Sequence, residues 1–135
     1  MDLSHFSGSC LCGKVKYSID AEVDNFYFCH CQQCRKLTGG PLASNIQLKP
    51  TDVNWLSGED NIKRFDYPGE RAFTKAFCKD CGSALPYINE AGTALVIPAG
   101  SLDHDPKIMP QENIFWGDKA EWFEAGVDAE KHSGF

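Results

Sequence analysis

Seven cysteines in 135 residues are the feature that most constrains this chain. An odd number leaves one thiol unpaired in any scheme made only of disulfides. Residues 1–6 lack the basic start and long apolar stretch of a secretory signal, and no apolar run approaches the length of a membrane span. We therefore expect a cytoplasmic protein that does not enter membranes, whose clustered thiols bind metal or carry redox chemistry.

The length predicts the number of domains, and the net charge excludes one class of partner. A chain of this size has material for one hydrophobic core, so a single domain over residues 1–135 is predicted. The 13 Lys+Arg residues against 19 Asp+Glu residues give a net charge of -6. This balance disfavours contact with phosphate backbones, so we expect no nucleic-acid partner.

Apolar and polar residues alternate in several short segments, a pattern typical of half-buried strands. The segments predicted as strands are 15–19, 26–28, 45–48, 62–67, 72–77, 84–88 and 94–97. Residues 58–61 are predicted as a turn, and residues 103–110, with two prolines, as a loop. The best helix prediction is residues 32–37, followed by Thr38-Gly39-Gly40-Pro41. The pattern predicts a mainly β, antiparallel domain with short helical segments.

The cysteines form three groups that differ in the residue that follows them. The groups are Cys10 with Cys12, Cys29 with Cys31 and Cys34, and Cys78 with Cys81. A glycine directly follows the first and third groups, as Gly13 and Gly82. Glycine accepts the positive φ with which a metal-binding knuckle directs backbone N–H groups at sulfur. We therefore pair these two groups as the four thiolates of a closed structural zinc site.

The middle group supplies three thiolates and no evident fourth ligand. Three protein ligands with one open position is the arrangement of catalytic zinc sites. The group is followed by Arg35 and Lys36 on the predicted helix, and these charges would lower thiol pKa values and attract an anionic ligand. On an extended segment, the side chain of His30 points away from a metal held by its neighbours.

Other interpretations of the cysteines stay open. The four paired cysteines are alternatively a set of buried or redox-active thiols, and the middle group is alternatively a second structural site completed by a histidine or carboxylate from elsewhere. Cys78 and Cys81 also have the spacing of a thioredoxin-type pair. The strand-then-helix context of such a pair is missing, and Gly82 favours a knuckle.

Three motifs contain all seven cysteines: Gly8-Ser9-Cys10-Leu11-Cys12-Gly13-Lys14-Val15, Cys29-His30-Cys31-Gln32-Gln33-Cys34-Arg35-Lys36 and Phe77-Cys78-Lys79-Asp80-Cys81-Gly82-Ser83. Over residues 8–122 the chain resembles the glutathione-dependent formaldehyde-activating enzyme family, whose domain is shared with centromere protein V. The resemblance implies a zinc-stapled β domain of the β-tent type. It implies two zinc ions per chain, a structural ion on the outer motifs and a reactive ion on Cys29, Cys31 and Cys34.

The resemblance also implies a reaction. A small thiol such as glutathione would add to formaldehyde, or to a related aldehyde, to give an S-hydroxymethyl adduct, which is a carbon–sulfur lyase reaction run in reverse. Arg35 and Lys36 are the candidates to hold a glutathione carboxylate. Relatives often carry a histidine ahead of an aromatic pair, where this chain has Asn113-Ile114-Phe115-Trp116. The alternatives are a non-catalytic zinc module that binds a protein, and a redox or zinc sensor.

Overall fold

Strands make up 38% of the chain and helices 16%, so the mainly β prediction is confirmed. The computed structural model describes residues 2–135, and Met1 of the predicted domain lies outside the described residues. The strands are β1 (Ser4–Ser9), β2 (Lys16–Ala21), β3 (Val23–Cys29), β4 (Ala43–Leu48), β5 (Asn54–Ser57), β6 (Ile62–Asp66), β7 (Thr74–Cys78), β8 (Ala84–Leu85), β9 (Tyr87–Ile88), β10 (Leu95–Pro98) and β11 (Glu112–Ile114). The helices are α1 (Gln32–Thr38) and α2 (Phe123–Asp128), with 3-10 turns at Glu59–Asn61, Ala99–Ser101 and Trp116–Asp118.

Within residues 2–135 the strands form three sheets. Their strand orders are β1-β2-β5, β11-β3-β4-β10-β9 and β6-β7-β8. Neighbouring strands are antiparallel except β11, which runs parallel to β3 and places Ile114 beside Cys29. The parallel pair brings the carboxyl-terminal part of the chain against the strand that ends in the middle cysteine group.

The predicted elements agree with the structure where the local pattern is strong. Helix α1 begins at Gln32 as predicted, and Gly39 ends it in the left-handed conformation at φ 71°. The predicted strand 84–88 is instead two strands in two different sheets, β8 and β9. Pro86 separates them because proline has no backbone N–H to donate to a ladder. Among the described residues, neither α-helix has the length and apolar content needed to cross a membrane.

The main core takes buried side chains from all three sheets and follows the two-residue period of the strands. In β2, for example, Tyr17, Ile19 and Ala21 are buried while the residues between them are not. A second, smaller apolar cluster surrounds the middle cysteines, and its partly buried members are Tyr27, Ala43, Phe73 and Ile114. The middle cysteines therefore lie in an apolar shell of their own, apart from the main core.

Tyr17 connects the core to the 3-10 turn Ala99–Ser101. Ser101 donates its hydroxyl hydrogen to the Pro98 carbonyl at 2.7 Å, so the Tyr17 hydroxyl donates to Ser101 Oγ at 2.6 Å. Burial raises the pKa of Tyr17 to about 12, although the bond to Ser101 opposes this shift. The phenol is therefore a neutral donor that holds the turn against β2.

We expect Tyr17→Phe to lower the free energy of unfolding by about 1 kcal/mol, because it removes one buried hydrogen bond while Ser101 keeps its bond to Pro98. Urea denaturation measures the change. Tyr67→Phe, on a tyrosine that is 41% exposed, is the matched control. Equal destabilisation by both substitutions would contradict a specific role for the buried hydroxyl.

Candidate metal centres

The first and third cysteine groups meet in space. Their four sulfurs, from Cys10, Cys12, Cys78 and Cys81, all lie within 4.8 Å of one another. The Sγ atoms of Cys10 and Cys12 are 3.5 Å apart, and those of Cys12 and Cys78 are 3.8 Å apart. A tetrahedral zinc ion with Zn–S bonds of about 2.3 Å holds its ligand sulfurs about 3.8 Å apart. Four thiol donors at this spacing therefore fit a closed metal site, which we call the four-cysteine cluster.

Two similar turns build the four-cysteine cluster. The Gly13 N–H donates to the Cys10 carbonyl at 3.1 Å, and the Gly82 N–H donates to the Cys78 carbonyl at 2.8 Å. The glycines have φ of 82° and 74°, a conformation that costs other residues free energy. A Cβ on either glycine would meet nothing within 4 Å, so the backbone angle and not packing requires glycine.

Hydrogen-bond donors surround the sulfurs of the four-cysteine cluster. The Val15 N–H donates to Cys10 Sγ at 3.3 Å. The Ser83 hydroxyl lies 3.2 Å from Cys81 Sγ, and its hydrogen bond, together with backbone N–H groups, lowers the pKa of Cys81 to about 5. Donors of this kind stabilise thiolates, the form in which cysteine binds metal.

Contacts around the four-cysteine cluster join two distant parts of the chain. Lys14 forms an ion pair with Asp80, and the Leu11 N–H donates to Ser83 Oγ at 3.0 Å. Cys12 and Cys78 are 66 residues apart in the sequence. The four-cysteine cluster thus connects the end of β1 to the hairpin formed by β7 and β8.

The middle group forms a second cluster, which we call the three-cysteine cluster. Cys29 ends β3, Cys31 is the N-cap of α1 and Cys34 lies in the first turn of α1. Their sulfurs lie within 4.8 Å of one another, and each residue is at most 3% exposed. Among residues 2–135, no histidine, aspartate, glutamate or further cysteine completes this group as a fourth ligand. The cluster therefore offers three buried sulfurs to a metal ion, with no fourth protein ligand.

Hydrogen bonds within the three-cysteine cluster make the thiol of Cys29 much more acidic than that of Cys34. The hydrogen bond that the Cys34 thiol donates to the Cys29 sulfur lowers the pKa of Cys29 to about 5, although burial opposes this shift. The same interaction raises the pKa of Cys34. Cys31 Sγ accepts from the Cys34 N–H at 3.4 Å. The thiol of Cys29 thus ionises more readily than that of Cys34.

Arg71 places a positive charge beside the three-cysteine cluster. Although partial burial opposes the shift, the sulfurs of Cys31 and Cys29 raise the pKa of its guanidinium. The guanidinium stacks 4.0 Å from the ring centroid of Phe115 and donates to Gln33 Oε1 at 3.1 Å. No local pattern in the sequence marks Arg71, because a fold contact across 38 residues brings it to the cluster.

Arg35 and Lys36, the residues predicted to hold a carboxylate, lie elsewhere on α1. The Arg35 guanidinium donates to the Asp118 carbonyl at 3.3 Å, and Lys36 is exposed. Neither residue lines the two cavities that reach the three-cysteine cluster.

His30 points away from the cluster, as its place between two cysteines predicts. It is completely buried, and its Nε2 forms a 2.9 Å hydrogen bond with Asn113 Oδ1. Its ring packs edge-on against Trp116 and Phe123, with both centroid distances 5.0 Å. His30 therefore packs the segment that follows β11 against the end of β3, on the side away from the three-cysteine cluster.

Two cavities meet at the three-cysteine cluster. The larger, which we call the inter-cluster cavity, has a volume of about 640 Å³ and reaches from Cys34 to Cys10 of the other cluster. The smaller has a volume of about 220 Å³ and is lined by Cys29, Cys34 and Arg71. Small-molecule sites usually enclose roughly 300–1,000 Å³. The larger cavity is thus of a size that suits a small ligand, and Cys34 belongs to the walls of both.

Comparisons with known proteins point to one family. The sequence profile of a family described as glutathione-dependent formaldehyde-activating enzyme matches residues 5–118. A crystal structure of a Rhodobacter sphaeroides protein is similar, with a TM-score of 0.59 and 20% identity, covering 79% of this chain and 97% of that one. At this identity the likeness shows the shared fold. A comparison with curated proteins finds no match.

The two clusters should respond differently to loss of one sulfur. When the protein is loaded with zinc, we expect Cys31→Ser to bind one equivalent less than the wild type and stay folded, because serine keeps an oxygen that accepts the Cys34 N–H. Cys81→Ser should lose zinc together with folding free energy on the order of several kcal/mol. Zinc content by atomic emission and thermal melting by circular dichroism measure both effects. If Cys31→Ser unfolds as readily as Cys81→Ser, the three-cysteine cluster is structural.

Proposed function

Because this chain belongs to the glutathione-dependent formaldehyde-activating enzyme family, we propose that it is a zinc-dependent carbon–sulfur lyase of the S-hydroxymethylglutathione synthase type. In the forward direction a small thiol, glutathione or a similar one, adds to formaldehyde or a related aldehyde. A sulfur–carbon bond forms, the carbonyl π bond breaks, and the proton lost by the thiol balances the one that the carbonyl oxygen gains. The observation that carries the proposal is the set of three buried thiols with no fourth protein ligand among residues 2–135, two of which, those of Cys29 and Cys34, line the adjoining cavities.

Each cluster has its own part in this proposal. The four-cysteine cluster would hold a structural zinc ion, and Cys29, Cys31 and Cys34 would hold the reactive one, giving two zinc ions per chain. A zinc ion bound by three protein sulfurs supplies a positive charge that lowers the pKa of a thiol and polarises a carbonyl. We propose a cytoplasmic location, where small thiols stay reduced.

The residues around the three-cysteine cluster support addition of a thiolate to a small carbonyl. The apolar shell of Tyr27, Phe73 and Ile114 limits the access of water to the cluster. Arg71 lines the smaller cavity, whose wall also includes Glu90. As the thiolate attacks, negative charge develops on the carbonyl oxygen, and a fixed guanidinium beside the cluster would stabilise that charge. The carboxylate-binding role of Arg35 and Lys36 stays a prediction.

Exchange NMR spectroscopy with glutathione and isotope-labelled formaldehyde tests the proposed activity. The zinc-loaded protein should accelerate formation and breakdown of the S-hydroxymethyl adduct above the uncatalysed rate. Cys31→Ser should return the rate to that background, because one sulfur of the three-cysteine cluster is lost. A zinc-loaded wild type that gives only the background rate would favour a non-catalytic zinc module.

We expect Arg71→Met to lower kcat for adduct formation by about 10-fold to 100-fold, the effect of losing one hydrogen bond to a charged group. Arg71→Lys should retain part of the rate, because it keeps the charge but loses the planar guanidinium that stacks on Phe115. Steady-state kinetics at saturating glutathione separates this effect from a change in KM. Equal rates for Arg71→Met and the wild type would exclude Arg71 from charge stabilisation.

A further inference from the structure

The wall of the inter-cluster cavity carries very few charges. Lys75 is the one lysine or arginine among its described lining residues, and Asp103 is the one aspartate or glutamate. The Asp103 carboxylate already accepts a hydrogen bond from the Ser9 hydroxyl at 2.7 Å. Apart from the sulfurs of Cys10 and Cys34, the rest of the wall is apolar or neutral polar, so Lys75 is the group on the wall that attracts an anion.

Lys75 is held in place by one hydrogen bond and by a contact of its ammonium group with the Phe77 ring, 5.8 Å from the ring centroid, and it has no anionic partner within residues 2–135. It lies in β7, is partly buried, and donates from Nζ to the Leu37 carbonyl near the end of α1 at 2.7 Å. Among the described residues, no carboxylate oxygen lies within 4.0 Å of its ammonium group. An ammonium group has three N–H donors. Lys75 therefore has donors left for a ligand, and a partly buried charge gains when it is paired.

The position of Lys75 relates it to the three-cysteine cluster. Cys34 and Lys75 line the same cavity, and Leu37, which binds the ammonium group, lies one helical turn after Cys34. A small molecule with its sulfur at the cluster and its body in the inter-cluster cavity can therefore present an anionic group to Lys75. Neutral polar residues on the wall, such as Ser44 and Asn45, suit the amide groups of a peptide-like body.

We propose that Lys75 binds a carboxylate of the thiol substrate and makes the inter-cluster cavity selective for anionic thiols. The inference rests on the proposed function for the placement of the reacting sulfur. It assigns the carboxylate to β7, whereas the sequence pointed to Arg35 and Lys36 on α1. The alternative role of Lys75 is structural, since a cation near the end of a helix stabilises the helix carbonyls.

Equilibrium binding to the zinc-loaded protein, measured by titration calorimetry, tests the assignment with three ligands. Glutathione carries both thiol and carboxylates, S-methylglutathione keeps the carboxylates without a free thiol, and glutathione diethyl ester keeps the thiol without free carboxylates. We expect Lys75→Met to weaken binding of the first two about 10-fold to 100-fold, the effect of one charge-assisted hydrogen bond, and to leave the diester within about twofold. Lys75→Arg should keep most of the affinity, because it keeps the charge.

Lys63→Met is the matched control, because it removes the same charge from an exposed position on the neighbouring strand β6. It should leave all three affinities unchanged. Equal weakening of all three ligands by Lys75→Met would show a structural role and overturn the inference. No weakening, a loss confined to Lys36→Met, or a wild type that binds none of the ligands would also overturn it.

The binding measurements and the activity assay together distinguish a failure of this inference from a failure of the proposed function. A wild type that binds both carboxylate ligands through Lys75, yet does not accelerate adduct formation, supports the carboxylate site and refutes the lyase activity. A wild type that accelerates adduct formation, with unchanged glutathione affinity in Lys75→Met, supports the activity and refutes the carboxylate site.

Discussion

The structure depends on the contact between the end of β1 and the hairpin of β7 and β8, where four sulfurs lie close enough to be cross-linked by a metal ion. Such a cross-link would join residues 66 positions apart, and closing so long a loop would remove much of the conformational freedom of the unfolded chain. In the third sheet β6 has no buried residue, so the sheet is anchored in the core through β7 and β8, and Cys78 of the four-cysteine cluster is one of the buried residues there. Two turns with a glycine at positive φ make the cross-link possible, since they fold the backbone around the sulfurs.

Strand β7 connects the four-cysteine cluster to the surroundings of the three-cysteine cluster. Cys78 ends the strand inside the four-cysteine cluster, Lys75 lies within the strand, and Arg71 lies just before it. The closed cluster thereby fixes the strand that presents both cations to the two cavities. The three-cysteine cluster, by contrast, is assembled locally from the end of β3 and the start of α1. The residues that stabilise the fold and the residues proposed to react are therefore separate sets, connected by one strand.

Features that depend on neighbouring residues could be predicted from the sequence. The grouping of the cysteines, the knuckle glycines Gly13 and Gly82 and the start of α1 all follow from short patterns, and the structure shows them. Arg71 and Lys75 could not be found in this way, because their positions depend on how β7 packs against a helix some 38 residues earlier in the chain. The same holds for the parallel pairing of β11 with β3, which no local pattern indicates.

The capping role of Cys31 links sulfur chemistry to helix formation. Helix α1 has seven residues, too few for stability in isolation, and its first turn is closed by the bond from the Cys34 N–H to the Cys31 sulfur. Alkylation or oxidation of that sulfur changes the acceptor on which the helix begins. Chemical modification of this sulfur would therefore weaken the cap of α1, which couples the reactivity of Cys31 to the stability of the helix.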